Sequence, residues 1–191
     1  MSCVLRPAVP PAEAPRLSLV ASLAVSRALE QLGFEPGIKW PNDVFLAGRK
    51  VCGILTEIEA EADAVRFVVV GIGVNVNAEE RDFPPELRQT ATSLRLASGR
   101  TWDRARVAGL LLGGLDEWYR RFLTAPFRVV TADWNRRSIL TGKRVRVDAP
   151  GGAVEGVCLG IDADGALLLD GGRGTRRVIA GDATVVGGVE P

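Results

Sequence analysis

Three β-type runs crowd into residues 44 to 76, and that crowding restricts the fold more than any other feature. Val44-Phe45-Leu46 and the run from Lys50 to Ile58 are joined by Ala47-Gly48-Arg49, whose glycine suits a tight hairpin turn. The run Val65 to Val76 follows, so the three form an antiparallel meander. Ile38-Lys39-Trp40 reads as a short strand that stops at Pro41. Helical spacing flanks this β region on both sides. From Pro15 to Leu32, Leu17, Val20, Ala21, Ala24, Ala28 and Leu32 recur at three- and four-residue steps, which predicts a helix with one buried stripe ending at Gly33. The proline-rich stretch Pro7 to Pro15 before it reads as a loop. After Asn77 the chain is polar and proline-containing, hence loop. From Trp102 to Leu123, Val107, Leu111, Leu115, Trp118 and Phe122 share one helix face, and Phe127 to Trp134 adds a shorter helix.

At about Leu140 the texture changes. Lys143 to Val147, Val154 to Ile161, Ala166 to Leu169, Arg176 to Ile179 and Thr184 to Val186 are short β-type segments. Pro150-Gly151-Gly152, Asp162-Ala163-Asp164-Gly165, Gly171-Gly172 and Gly181-Asp182 separate them, a pattern that predicts a small barrel. A unit of about 50 residues is near the lower limit for a self-sufficient core, so it is expected to lean on the rest. No internal repeat is visible.

Composition narrows the chemistry. Of 191 residues, 47% are hydrophobic and 25% charged, the balance of a packed, folded chain. A net charge of +1 argues against a broad nucleic-acid surface, and Arg136-Arg137 and Lys143-Arg144 read as solvated charge. Cys3, Cys52 and Cys158 are odd in number and far apart, without a CxxC pair, which suits a reducing cytoplasm rather than a disulfide framework. The absence of histidine excludes Ser-His-Asp catalysis, a histidine base and any imidazole-ligated zinc. The N-terminal residues do not read as a secretory signal, and no apolar run approaches the roughly 20 residues that span a bilayer. Chemistry therefore rests on Lys, Arg, Asp, Glu, Asn and backbone groups.

The stretch from Lys39 to Glu57 gathers such groups, placing two lysines, an asparagine and an aspartate at strand ends around a hairpin. Lys50 opens an otherwise apolar strand, and Gly53 three residues on leaves room for a ligand to approach the backbone. A lysine so placed opposes negative charge building on a phosphoryl or acyl group. Asp43 suits a magnesium ion that also bridges substrate phosphates, and Asn42 offers both donor and acceptor. Gly71-Ile-Gly-Val-Asn75 is no dinucleotide loop: it lacks the third glycine of GxGxxG, and β-branched residues follow where a helix should start.

KWPND, a short hairpin and then RK-x-x-GIL-x-E resemble the hallmark of biotin–protein ligases, and Val69-Val-Gly-Ile-Gly-Val-Asn-Val-Asn77 resembles the family's next block. The likeness implies an α+β fold: a mixed, mostly antiparallel sheet packed by helices, of the class II synthetase-like kind. The region from Lys143 through Leu169 is similar to the family's small C-terminal SH3-like β-barrel. The implied domains are 1–139, catalytic and N-terminally incomplete, and 140–191. The implied activity is ATP-dependent formation of biotinyl-5′-AMP, then transfer of biotin to a lysine of a biotin carboxyl carrier protein domain. By the same resemblance Lys50 contacts both the biotin carboxylate and the α-phosphate, and acts in catalysis. Gly53, Ile54, Gly71, Gly73 and Asn75 shape the biotin pocket, Trp40 walls the ligand, and Lys39, Asn42 and Asp43 take the phosphates and magnesium. A homodimer through the central sheet is a further expectation; DNA or membrane binding is not expected.

Family members also carry a glycine- and arginine-rich loop of GRGRxGR type and an earlier Ser/Thr-rich biotin contact, which this sequence does not show. Met1-Ser-Cys-Val-Leu-Arg-Pro resembles the strand after that loop, so the expectation is a chain that starts inside the domain and holds the adenylate weakly. Gly171-Gly-Arg-Gly-Thr-Arg-Arg177 has similar composition but sits between two short strands, where a glycine-rich turn is the ordinary explanation. The alternatives are an inert, truncated homologue acting as a weak binding or dimerising module and, less favoured, a lipoate or octanoate transferase.

Overall fold

The computed structural model describes residues 1–187. Its elements run β1 (Ser2–Leu5), α1 (Leu17–Gln31), β2 (Pro36–Lys39), β3 (Asp43–Leu46), β4 (Arg49–Ala60), β5 (Val65–Val74), α2 (Leu94–Ser98), α3 (Arg104–Thr124), α4 (Arg128–Arg137), β6 (Arg144–Ala149), β7 (Gly152–Ile161), β8 (Leu167–Asp170), β9 (Thr175–Val178) and β10 (Asp182–Val185). Two five-stranded sheets result, in the orders β1-β5-β4-β3-β2 and β10-β6-β7-β8-β9. Every strand pair is antiparallel. The only parallel pairings among the described residues are isolated bridges, Ile38 with Ser138 and Lys50 with Ala91. The second sheet has the five expected strands, but its order leaves β10 and β9 as edges, so no closed barrel forms among the described residues. Residues 188–191 of the expected second domain lie outside the described residues.

The first helix departs from its expected single stripe. α1 is buried on nearly all sides, Ser22 and Ser26 included. Their hydroxyls donate to the carbonyls of Leu19 and Ser22, so no hydrogen-bonding group is stranded. The reason is position: α1 lies between the first sheet and α3. Gly114 permits the close helix crossing, since a Cβ there would sit 2.6 Å from the Ala24 carbonyl oxygen. α3 buries Val107, Leu111, Leu115, Trp118 and Phe122, as their spacing predicts, and Asp103 caps it by accepting from the Ala105 amide. The proline-rich lead into α1 ends in a 3-10 turn, Pro11–Arg16. Short α2 was not foreseen; Ser93 caps it and Gly99, at φ 72°, ends it.

The second sheet leans on the first through one continuous apolar core. Asn135 of α4 adds a polar clamp: its Nδ2 donates to the Ile161 carbonyl at 3.1 Å, and the Ile161 amide donates to its Oδ1 at 2.8 Å. No helix among the described residues is long and apolar enough to cross a membrane.

Candidate functional site

Alternation along β4 and β5 builds the site. Ile54, Val68, Val70 and Ile72 are buried, whereas Gly53, Leu55, Gly71 and Gly73 alternate with them and face outward. The register pairs Gly53 with Gly73 and Leu55 with Gly71. Three glycines thus share one patch of open sheet, and bare backbone forms a floor there.

Lys50 should not face that floor. Residues three apart in a regular strand point to opposite faces, so Lys50 and Gly53 ought to diverge. A β-bulge changes the parity: Phe45 pairs with Lys50 and Val44 with Cys52, leaving Val51 as the extra residue. The lysine side chain consequently runs over Gly53, where an added Cβ would lie 3.3 Å from Lys50 Cε. Its ammonium meets Asp43 Oδ2 at 2.7 Å, and Asp43 itself pairs across the strands with Gly53. The Lys50 backbone is pinned as well: its amide donates to the Thr90 carbonyl, and its carbonyl accepts from the Thr92 amide, each at 2.8 Å.

Two cavities adjoin this residue. One, of about 780 Å³, lies over the floor and is lined by Asn42, Ile54, Leu55, Gly71 and, from the second sheet, Asp182. The other, of about 710 Å³, is lined by Lys39, Phe45, Asn75, Phe83, Leu87 and Thr90. Asp43, Lys50, Gly53 and Gly73 line both. A cation and its carboxylate therefore stand where two compartments meet.

The other sequence-selected residues take different stations. Lys39 is largely buried, its ammonium 3.8 Å from Asp182 and above the Phe45 ring. Asn42 folds back on the sheet: its Nδ2 donates to the Ile54 carbonyl at 2.7 Å, while the Ile54 amide donates to the Asn42 carbonyl at 3.1 Å. Asn75 ties β5 to the following loop, donating from Nδ2 to the Thr92 carbonyl at 3.1 Å. Trp40 lies elsewhere. It lines neither cavity and instead donates from Nε1 to the Gly165 carbonyl of the second sheet at 3.2 Å. The residues that sequence reasoning missed are Phe83, Leu87 and Thr90, which wall the second of these cavities from a stretch read only as polar loop. Two apolar residues among prolines and charges were the one available clue.

Charge at the site is locally balanced. Burial, then the nearby Asp43 carboxylate, pushes the Cys52 thiol up to about 12, with Lys50 opposing, so this cysteine is a packed, protonated group and no nucleophile. Among the described residues no cluster of three or more His, Cys, Asp or Glu is arranged for a metal ion. Asp43, the carboxylate expected to take magnesium, spends Oδ2 on Lys50.

Comparison with known proteins closes the description. Residues 1–75 match the model of the biotin/lipoate A/B protein ligase family, and residues 140–185 that of the biotin protein ligase C terminal domain. The bifunctional ligase/repressor BirA of Bacillus subtilis is 40% identical over 183 residues, covering 95% of this chain and 56% of its own. The chain thus spans about half the length of that relative. The biotin–[acetyl-CoA-carboxylase] ligase of Paracoccus denitrificans is 35% identical over 190 residues, covering 97% of this chain and 78% of its own. Among solved structures, the biotin protein ligase of Aquifex aeolicus in complex with biotin and ATP superposes with a TM-score of 0.83 at 29% identity, over 96% of this chain and 75% of that one.

Proposed function

The chain belongs to the biotin protein ligase family, and from that premise we propose that it joins biotin to a lysine of a biotin carboxyl carrier protein domain at the expense of ATP. In the first step a biotin carboxylate oxygen bonds to the α-phosphorus, the bond to the β-phosphate oxygen breaks, and pyrophosphate leaves. In the second, a neutral carrier lysine amine attacks the carbonyl of the mixed anhydride. An amide forms, AMP departs and the amine loses a proton.

The observation that carries this reading is the Lys50 ammonium at the junction of two cavities. Biotin is assigned to the glycine-floored one, where Gly53, Gly71 and Gly73 let a flat ring lie against backbone and Ile54 contributes main-chain groups. The nucleotide is assigned to the cavity walled by Lys39, Phe83 and Leu87; Asn75, expected in the biotin pocket, lines this cavity and not the glycine-floored one. Carboxylate and α-phosphate then meet at Lys50, two anions that would repel each other without a cation between them. Asp43 holds that cation in place before substrate arrives. Asn42 fixes the turn beside it. Magnesium enters as part of the substrate, carried on triphosphate oxygens, where it neutralises the leaving group; Asp43 is the carboxylate nearest to it in this reading.

The division into 1–139 and 140–191 is part of the proposal, supported by the separate family match over residues 140–185. A second copy is assigned to the β1 edge of the central sheet, where Val4 is an exposed apolar residue. The cytoplasm is the assigned compartment.

The test is incubation of the purified chain with labelled biotin, magnesium, ATP and a carrier domain. Label on the carrier supports the reading, and Lys50→Ala should cut adenylate formation about 10²- to 10³-fold without unfolding the chain. A wild-type chain that neither makes biotinyl adenylate nor binds biotin overturns it. Octanoyl transfer without ATP would move the assignment to the lipoate branch.

A further inference from the structure

Trp40 was expected at the ligand, yet its side chain engages the second sheet. Its indole is 2% exposed, and the described residues lining the two site cavities do not include it. A plain core role is also insufficient. The indole N–H groups of Trp118 and Trp134 are buried with no partner, so this protein seats tryptophans without satisfying that donor. Trp40, by contrast, points its donor out of the first sheet at one carbonyl of the second, Gly165. We propose that Trp40 is a positioning residue through which the second sheet fixes the turn that carries Asn42 and Asp43, and so the Lys50 junction that the two site cavities share.

Both ends of the strut are braced. On the receiving side, Gly165 sits at the tip of the β7–β8 connection, at φ 90°, and an added Cβ would come within 2.5 Å of Leu19 Cδ1 on α1. Asp162 Oδ1 accepts from the amides of Asp164 and Ala166, which stiffens the tip. Arg177 bridges Asp162 and Asp164, and Arg16 reaches across from the lead into α1 to Asp164 Oδ1 at 2.8 Å. A carbonyl on so constrained a turn is a fixed anchor.

On the donating side, the residues after Trp40 are Pro41, Asn42 and Asp43. Pro41 has no N–H to contribute. Asn42 is held by its paired bonds to Ile54, and Asp43 by Lys50. The turn is therefore gripped by the first sheet at its far end and by the second sheet at Trp40. The Asn135 clamp to Ile161 lacks this property, being remote in sequence from every site residue, whereas the Lys39–Asp182 ion pair is a second link from the second sheet to the site and acts on Lys39 rather than on the turn. A displacement of the β7–β8 tip is transmitted through one rigid indole to the residue before Pro41 and thence to Asp43.

The kinetic arm rests on the proposed ligase activity; a second arm does not. Trp40→Phe keeps an aromatic ring and removes the donor. Asp164→Asn loosens the anchor from outside, at a side chain 60% exposed, leaving Trp40 intact. In Trp40→Phe the KM values for biotin and for magnesium-ATP should both rise on the order of three- to ten-fold, the effect of one lost buried hydrogen bond, and Asp164→Asn should move both in the same direction by a smaller factor. In ligand-free protein, Trp40→Phe should speed amide hydrogen exchange at least five-fold at Asn42 and Asp43 as well as at the β7–β8 tip. Unchanged KM values with a lower melting temperature alone, or exchange confined to the tip, would overturn the proposal. If Trp40→Phe does not fold, Asp164→Asn decides. If the wild type makes no adenylate, the ligase reading falls while the exchange arm still tests the strut.

Discussion

The β4–β5 face of the first sheet and the second sheet use glycine for opposite purposes. In the second, glycine is required by the fold. An added Cβ would stand 2.6 Å from Asn135 Oδ1 at Gly160, 2.5 Å from the Asp170 carbonyl at Gly156 and 2.7 Å from the Asp148 carbonyl at Gly181. Gly160 and Gly181 also hold φ values of 111° and 145°, where side-chain-bearing residues are strained. In the first sheet, nothing in the fold asks for Gly71 or Gly73: their added Cβ atoms would make ordinary contacts at 3.4 and 3.6 Å. Gly53 would meet the flexible end of Lys50 and, at an ordinary 3.7 Å, the Asp43 carboxylate. Glycine inside a strand weakens it, so three of them on one open face are a stability sacrifice that a ligand explains and packing does not. The Gly171-Gly-Arg-Gly174 stretch falls on the fold-required side, because it is the β8–β9 turn and Gly172 and Gly174 have φ of 78° and 132°.

That contrast breaks most readily by exchanging the two kinds of glycine. Gly73→Val should lower adenylate formation about 100-fold or more by filling the floor, yet leave thermal stability equal or raised by about 0.5–1 kcal/mol, since a β-branched residue suits a strand. Gly160→Ala should do the reverse. It should cost about 1–3 kcal/mol from the strained φ and the disturbed Asn135 clamp, with activity per folded molecule nearly kept. Calorimetry beside an adenylation assay checks both. Unfolding by Gly73→Val, or a stability-neutral Gly160→Ala, would erase the distinction between the sheets.

The same contrast marks what the residues disclosed and what they hid. The β4–β5 glycines and Lys50 were legible because each is a local anomaly in an apolar strand. The five strands after Leu140 were legible from their punctuation, but whether they close into a barrel depends on pairing between distant edges, which no local pattern encodes. The bulge at Val51 was invisible for a related reason. It exists only relative to β3, and without it the Lys50–Gly53 spacing points the wrong way. Trp40 was placed at the ligand by its neighbours in sequence, while its side chain answers to Gly165, 125 residues away. α1 misled in the other direction, since its stripe could not reveal that α3 would cover the opposite face.

A smaller, pH-dependent difference should separate the sheets further. In the first, the folded-state Cys52 thiol titrates near 12, above its ordinary value of 9.0. Between those values the folded chain keeps a proton that the unfolded chain has lost, so stability should fall as pH rises from about 9 towards 12. In the second sheet, burial alone would raise the Asp162 carboxyl. The Arg177 guanidinium and the amides of Asp164 and Ala166 outweigh it and hold the group below the usual carboxylate range. That contribution is present above the unfolded value and is lost as pH falls through the folded one. Chemical denaturation across pH should show an alkaline limb reduced but not abolished by Cys52→Val, because burial also raises the Cys158 thiol and the Tyr119 hydroxyl, and an acid limb reduced by Asp162→Asn. Swapped dependences would refute the assignment.

The smallest effect expected is one of order in thiol exposure. Cys52 lies in the first sheet and Cys158 in the second, each 1% exposed, while Cys3 on edge strand β1 is only partly covered. A neutral alkylating reagent under native conditions should therefore modify Cys3 first and leave the other two thiols. With added urea below the global transition, Cys158 should become reactive before Cys52. The second sheet is the smaller unit and leans on the first through the Asn135 clamp, the Trp40 strut and a shared apolar boundary, whereas β4, flanked by strands as β7 is, also has α1 packed across its buried face. Mass spectrometry of the alkylated chain reads that order directly. Simultaneous labelling of both would mean that the sheets open as one unit, and the division of labour between them would then belong to their surfaces and not to their stability.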